Sequence, residues 1–104
     1  MPACKTRMSP QPRVGLLAVG ICVPEAMTLK DKRQVVRSLL DRLANRFNVS
    51  VAQVGGLDSP RRGELAFAVV SNDGKHVQEM LDGILQAVSA EPRLEVEGSE
   101  IEVF

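Results

Sequence analysis

Four short apolar segments with strand-like alternation and two segments with helical spacing follow one another in the order β-α-β-β-α-β. Together they predict an α+β fold of two layers for this 104-residue chain. The length suits one domain built around a single core. That core has to be aliphatic, because Phe47, Phe67 and Phe104 are the only aromatic residues.

The first element is RVGLLAVGICV, residues 13–23, which is apolar and β-branched and is stopped by Pro24. Alternation puts Leu17, Val19, Ile21 and Val23 on one face and Ala18, Gly20 and Cys22 on the other. Thr28 then supplies a helix N-cap, with Asp31 where a capping-box acid belongs. Leu29, Val36, Leu39, Leu40, Leu43 and Phe47 recur at helical spacing and predict a helix of about five turns that Asn48 can end. VSVAQV (49–54) alternates as a strand, and GGLDSPRRG (55–63) has loop chemistry. ELAFAVVS (64–71) is the third strand, with Leu65, Phe67 and Val69 inward and Glu64, Ala66, Ala68 and Val70 outward.

Ser71, Asn72 and Asp73 form a cap cluster for a second helix, whose stripe is Val77, Leu81, Ile84, Leu85 and Val88. Gly83 weakens that helix by up to ~1 kcal/mol relative to alanine. RLEVEGSEIEVF (93–104) alternates as a strand with a slip of parity at Gly98-Ser99, as a β-bulge would produce. This order is the ferredoxin-like βαββαβ sandwich, in which two helices cover one face of a four-stranded antiparallel sheet. Residues 13–104 make up that domain, and residues 1–12 read as a disordered N-terminal extension.

The chain is neutral overall, with 13 basic and 13 acidic residues, but the charges are segregated. Residues 1–62 carry 11 basic and 4 acidic residues, and residues 63–104 carry 2 and 9. Such a split marks either a polyanion-binding surface or a self-complementary one. No segment has the pattern of a signal peptide or membrane helix, so a cytoplasmic protein with Cys4 and Cys22 as free thiols is expected. Catalysis finds little support. His76 is the only histidine, no Cys/His set has metal-ligand spacing, and no glycine pattern matches a phosphate loop. The glutamates of the last strand read as a solvated face. Neither a cofactor nor a metal is expected.

The stretch VGLLAVGICVPEAMTLKDKRQVVRSLLDRLANRFNVSVAQV, followed by ELAFAVVSND, resembles the small bacterial YlxP-like family, a domain of unknown function. The motifs that carry the resemblance lie at residues 14–17, 28–33, 47–53 and 68–73, and the likeness runs over residues 13–104. It implies a ferredoxin-like fold with no established activity. Genes of the family often neighbour those for translation initiation and ribosome maturation factors, which implies a translation-linked role. The chain departs from the family in the 55–63 loop. Pro60 stands near the place of a tryptophan there, and Gly55 and Gly56 stand where aspartate and histidine are expected.

Two surfaces are candidates for a partner. On the first helix Lys30, Arg33 and Arg37 share a face, and Lys32 lies beside the apolar stripe with its amine expected to snorkel to water. Cations in a helix's first turns oppose its dipole at a cost of about 0.3–1 kcal/mol each, so their gathering there points to an anion. Lys30, Lys32, Arg33 and Arg37, assisted by Arg61 and Arg62 of the loop, are expected to bind nucleic acid, with ribosomal RNA or a ribosome-associated protein as partner. A small anion held at the 28–33 helix start is a further reading. The second surface is the uncovered sheet face, with Ala18, Gly20, Cys22, Ala66, Ala68 and Val70. It has no aromatic for base stacking of the kind RRM proteins use. Its smooth apolar strip suits a homodimer or a docking protein.

Overall fold

The computed structural model describes residues 11–104. β1 (Arg13–Cys22) runs through the middle of the sheet, antiparallel to β3 (Arg62–Ser71) on one side and to β4 (Glu95–Val103) on the other. β2 (Ser50–Gly55) adds outside β3, giving the order β2-β3-β1-β4, with α1 (Leu29–Arg46) and α2 (Gly74–Ser89) as the second layer. This is the ferredoxin-like α+β arrangement that the element order predicts.

Alternation decides which side of the sheet is covered. Leu17, Val19, Ile21, Leu65, Phe67 and Val69 point to the helices and are essentially inaccessible to water. Against them lie Val36, Leu39 and Leu43 of α1 and Val77, Leu81, Ile84 and Val88 of α2. Gly15 lets α2 approach β1 closely, since a Cβ there would stand 2.3 Å from Val77 Cγ1 and 2.8 Å from Leu81 Cδ1.

The ends of the helices follow local chemistry. The Thr28 hydroxyl accepts from the Asp31 amide, and the Asp31 carboxylate accepts in turn from the Thr28 and Met27 amides. The capping box is therefore complete. Asp73 caps α2 by accepting from the Lys75 amide.

Two strands differ from their sequence reading. β3 starts two residues earlier, because Arg62 and Gly63 pair with Cys22 and Ile21. The extra residue of β4 is Glu97, one position before the expected slip, as pairing steps from Gly20↔Gly98 to Ile21↔Val96. A second bulge, at Val54 between the Gln53 and Gly55 pairings, gave no signal in the sequence. The expectation of a disordered extension falls mostly on residues 1–10, outside the described residues, as does Cys4. Among the described residues no helix is long and apolar enough to cross a membrane.

Candidate functional site

The six basic residues that the sequence groups together separate into four environments. Lys32 is the largest departure. Its side chain is fully buried, and its Nζ donates to the carbonyl oxygens of Gly56 at 2.5 Å, Ser59 at 2.5 Å and Arg62 at 3.1 Å. The ammonium has three protons and three acceptors, so nothing is left for an anion. Burial above all, and then the Arg33 guanidinium, hold its pKa below the ordinary lysine value, while Asp58 pulls the other way. The expectation that this amine snorkels to water, or grips phosphate, is thus corrected. Lys32 instead closes the β2–β3 loop. Gly56 turns through φ +68° in that loop, and a Cβ there would meet the Arg62 carbonyl oxygen at 2.7 Å.

Arg61 and Arg62 part company at the far end of the same loop. Arg61 turns toward the segment before α1 and donates through Nε to the Ala26 carbonyl at 3.1 Å. Arg62 stands on the uncovered sheet face and approaches the carboxylate of Glu97 at 3.5 Å. The two do not form one basic finger.

Lys30, Arg33 and Arg37 remain on the outward face of α1. All three are exposed, and none has an ion pair or side-chain hydrogen bond among the described residues. This sets them apart from the other described arginines. Arg13 donates to Phe104, Arg42 and Arg93 hold Glu91, and Arg46 lies 5.0 Å from the centroid of the Phe47 ring. Lys75, on α2, is the other described cation whose side chain lacks such a partner. Arg33 and Arg37 also line a shallow groove along β2 together with Val36, Leu40, Asp41, Val51 and Gln53.

The start of α1 is poorly suited to a small anion. The Asp31 carboxylate already accepts from two of the amides there and puts a negative charge on the spot. With Lys32 withdrawn as well, the phosphate-sized pocket expected at residues 28–33 is not assembled.

Glu91 is a functional-looking group that the sequence did not single out. It is 5% exposed and accepts from Arg42, from the Arg93 amide at 3.1 Å and from Arg93 Nε at 2.9 Å. Arg93 also reaches Ser38 at 3.3 Å, so the cluster ties the end of α2 to α1. The hydrogen bond from Arg93 holds the carboxyl at about 2, against the opposing effect of burial. The buried carboxylate is held by two guanidiniums from separate elements, so the cluster is a structural staple. Arg42 belongs to that staple.

The uncovered sheet face carries Ala18, Gly20 and Cys22 on β1 and Ala66, Ala68 and Val70 on β3, as alternation predicts. It is larger than those six residues. Val14 and Leu16 extend it on β1, Ala52 and Val54 on β2, and Val70 is 62% exposed. On β1 the outward set continues from Ala18 through Leu16 to Val14, and on β4 the step from Glu102 reaches the exposed Phe104, an aromatic at the corner of the face. Along β4 this face is bordered by Glu95, Glu97, Glu100 and Glu102, with Glu64 on β3. Among the described residues no three His, Cys, Asp or Glu side chains converge as metal ligands.

A family model described as "Protein of unknown function (DUF503)" matches residues 14–101. The "Uncharacterized protein YlxP" of Bacillus subtilis (strain 168) is 29% identical over 82 residues, which cover 79% of this chain and 89% of that protein. Among solved structures, the de novo designed protein Foldit4 aligns with a TM-score of 0.49 at 15% identity, over 90% of this chain and 94% of that one. SnoaB, a cofactor-independent oxygenase from Streptomyces nogalater, aligns with a TM-score of 0.49 at 14% identity, over 90% of this chain and 92% of that one.

Proposed function

Since the chain belongs to the DUF503 family of proteins of unknown function, we propose that it acts by binding and not by catalysis, as an accessory protein that holds a polyanion on the outward face of α1. The observation that carries this reading is the freedom of Lys30, Arg33 and Arg37, which stand in a row while the other described arginines are engaged. The acidic border along β4 keeps a polyanion off the sheet face and directs it to the helix. Structured RNA of the ribosome is the partner proposed, contacted through its phosphates without sequence readout. Three phosphate contacts predict that affinity falls about 20- to 40-fold between ~50 and ~200 mM salt. Fluorescence anisotropy with a ribosomal RNA fragment tests this, and binding that is absent at low salt or indifferent to salt overturns it.

A second reading rests on the exposed Leu16, Val54 and Val70 of the uncovered face. An antiparallel sheet with one solvated face ordinarily shows polar residues there, and this one shows alanine, glycine and valine. Under this reading a protein partner docks on that face.

A further inference from the structure

The groove beside β2 has two properties that its role in a polyanion site does not use. β2 is an edge strand, and its outer side lacks a partner strand among the described residues. Natural edges are blunted by charges, proline or bulges. The opposite edge, β4, follows that practice with four glutamates and a bulge at Glu97. β2 reads SVAQVG, without charge or proline, and residues 50–53 are regular up to the bulge at Val54. The second property is the charge order on α1 alongside it. Arg33, Arg37 and Asp41 follow at i, i+4 and i+8 and all line the groove with Val51 and Gln53. Asp41 is exposed and lacks an ion pair even with Arg37, one turn away.

We infer that the β2 edge is a self-association surface, on which a second copy of the chain pairs antiparallel through its own β2 about a two-fold axis at the level of Arg37. Arg33 and Asp41 lie on either side of Arg37, each about 6 Å away along the helix. An axis at Arg37 therefore sets Arg33 opposite Asp41 of the partner subunit, and Asp41 opposite Arg33 of the partner subunit. The interface is isologous, as two-fold symmetry requires. α1 packs against β2 in each copy, so pairing of the two β2 strands, about 4.8 Å apart, brings the two α1 helices alongside one another at the interface. Leu40 and Val51, partly buried in one copy, are covered by the second. Arg37 meets its own copy near the axis, which is the one unfavourable contact.

This inference does not rest on the polyanion reading, and one set of variants separates the two. Sedimentation of the full chain in the micromolar range gives a dimer. Arg33→Asp and Asp41→Arg each weaken it about tenfold, because each change sets like charges opposite one another at two symmetric places. The double swap, Arg33→Asp with Asp41→Arg, restores the dimer, which no loss of folding or of general charge would do. Arg37→Gln tightens it by removing the repulsion at the axis. Asp41→Arg leaves RNA binding intact or stronger while it breaks the dimer. A wild-type monomer, a double swap that stays dissociated, or a dimer broken by Ala68→Arg and untouched by the charge variants overturns the inference. The last result would move the contact to the uncovered sheet face.

Discussion

The Nζ of Lys32 donates to the carbonyl oxygen of Gly56 at 2.5 Å, across 24 residues of sequence. With Ser59 and Arg62 as the other two acceptors, one ammonium closes the whole β2–β3 connection. A cation near a helix start is unfavourable toward the dipole, and here three carbonyl dipoles offset that cost.

Replacement of Lys32 by methionine keeps the apolar stem and removes the donors. The carbonyls of Gly56, Ser59 and Arg62 then lose their shared partner, and a loss of about 3 kcal/mol is expected. Urea unfolding measures the loss, and amide exchange should accelerate through residues 57–61. Unchanged stability and exchange would show that the clamp is dispensable.

Glu91 makes the protein acid-sensitive in a defined window. Its folded-state pKa is about 2 against an ordinary 4.5. A depressed carboxylate contributes stability that is present in full above the unfolded value and is lost as pH falls through the folded one. Roughly 3 kcal/mol should therefore disappear between about pH 4.5 and pH 2. Glu91→Gln should flatten that part of the stability profile and lower stability at neutral pH, where Arg42 and Arg93 are left facing an uncharged amide.

Two glycines should respond in opposite directions to alanine. A Cβ at Gly83 would meet Phe47 ring carbons at 3.6 Å, an ordinary contact, so Gly83→Ala should stabilise α2 by about 1 kcal/mol. At Gly15 the added carbon would collide with Val77 and Leu81, so Gly15→Ala should destabilise the protein. Thermal melts of the two variants shifting the same way would contradict the packing of α2 on β1.

Ala68→Arg probes the uncovered sheet face. The side chain points away from the core, so the melting temperature should change little, and binding of a protein partner there should be lost. Capture by the wild-type chain and equally by the variant of the same purified partner would place the contact elsewhere.

What the sequence disclosed was the local part of this structure. Thr28 and Asp31 are three residues apart, and their capping box follows from that spacing alone. The inward sets of β1 and β3 follow from alternation, which also carried the six uncovered-face positions and, extended along β1 and β4, would have reached Leu16, Val14 and Phe104. The site residues were legible only in part, because their roles depend on partners far along the chain. Lys32 finds its acceptors 24 to 30 residues away, Arg42 finds Glu91 at 49, and Arg62 reaches the bulged Glu97. A lysine beside an apolar stripe was an available clue to burial. It does not say which carbonyls lie in wait.

The sharpest test of the polyanion site is a comparison of two variants on the same ribosomal RNA fragment at low salt. The triple change of Lys30, Arg33 and Arg37 to alanine should keep the melting temperature and lose most of the affinity, with the salt slope reduced by about 2 to 3. Arg61→Ala, which removes a cation tethered to Ala26, should bind nearly as the wild type does. If the triple variant binds RNA with unchanged affinity and slope, the outward face of α1 is not the site.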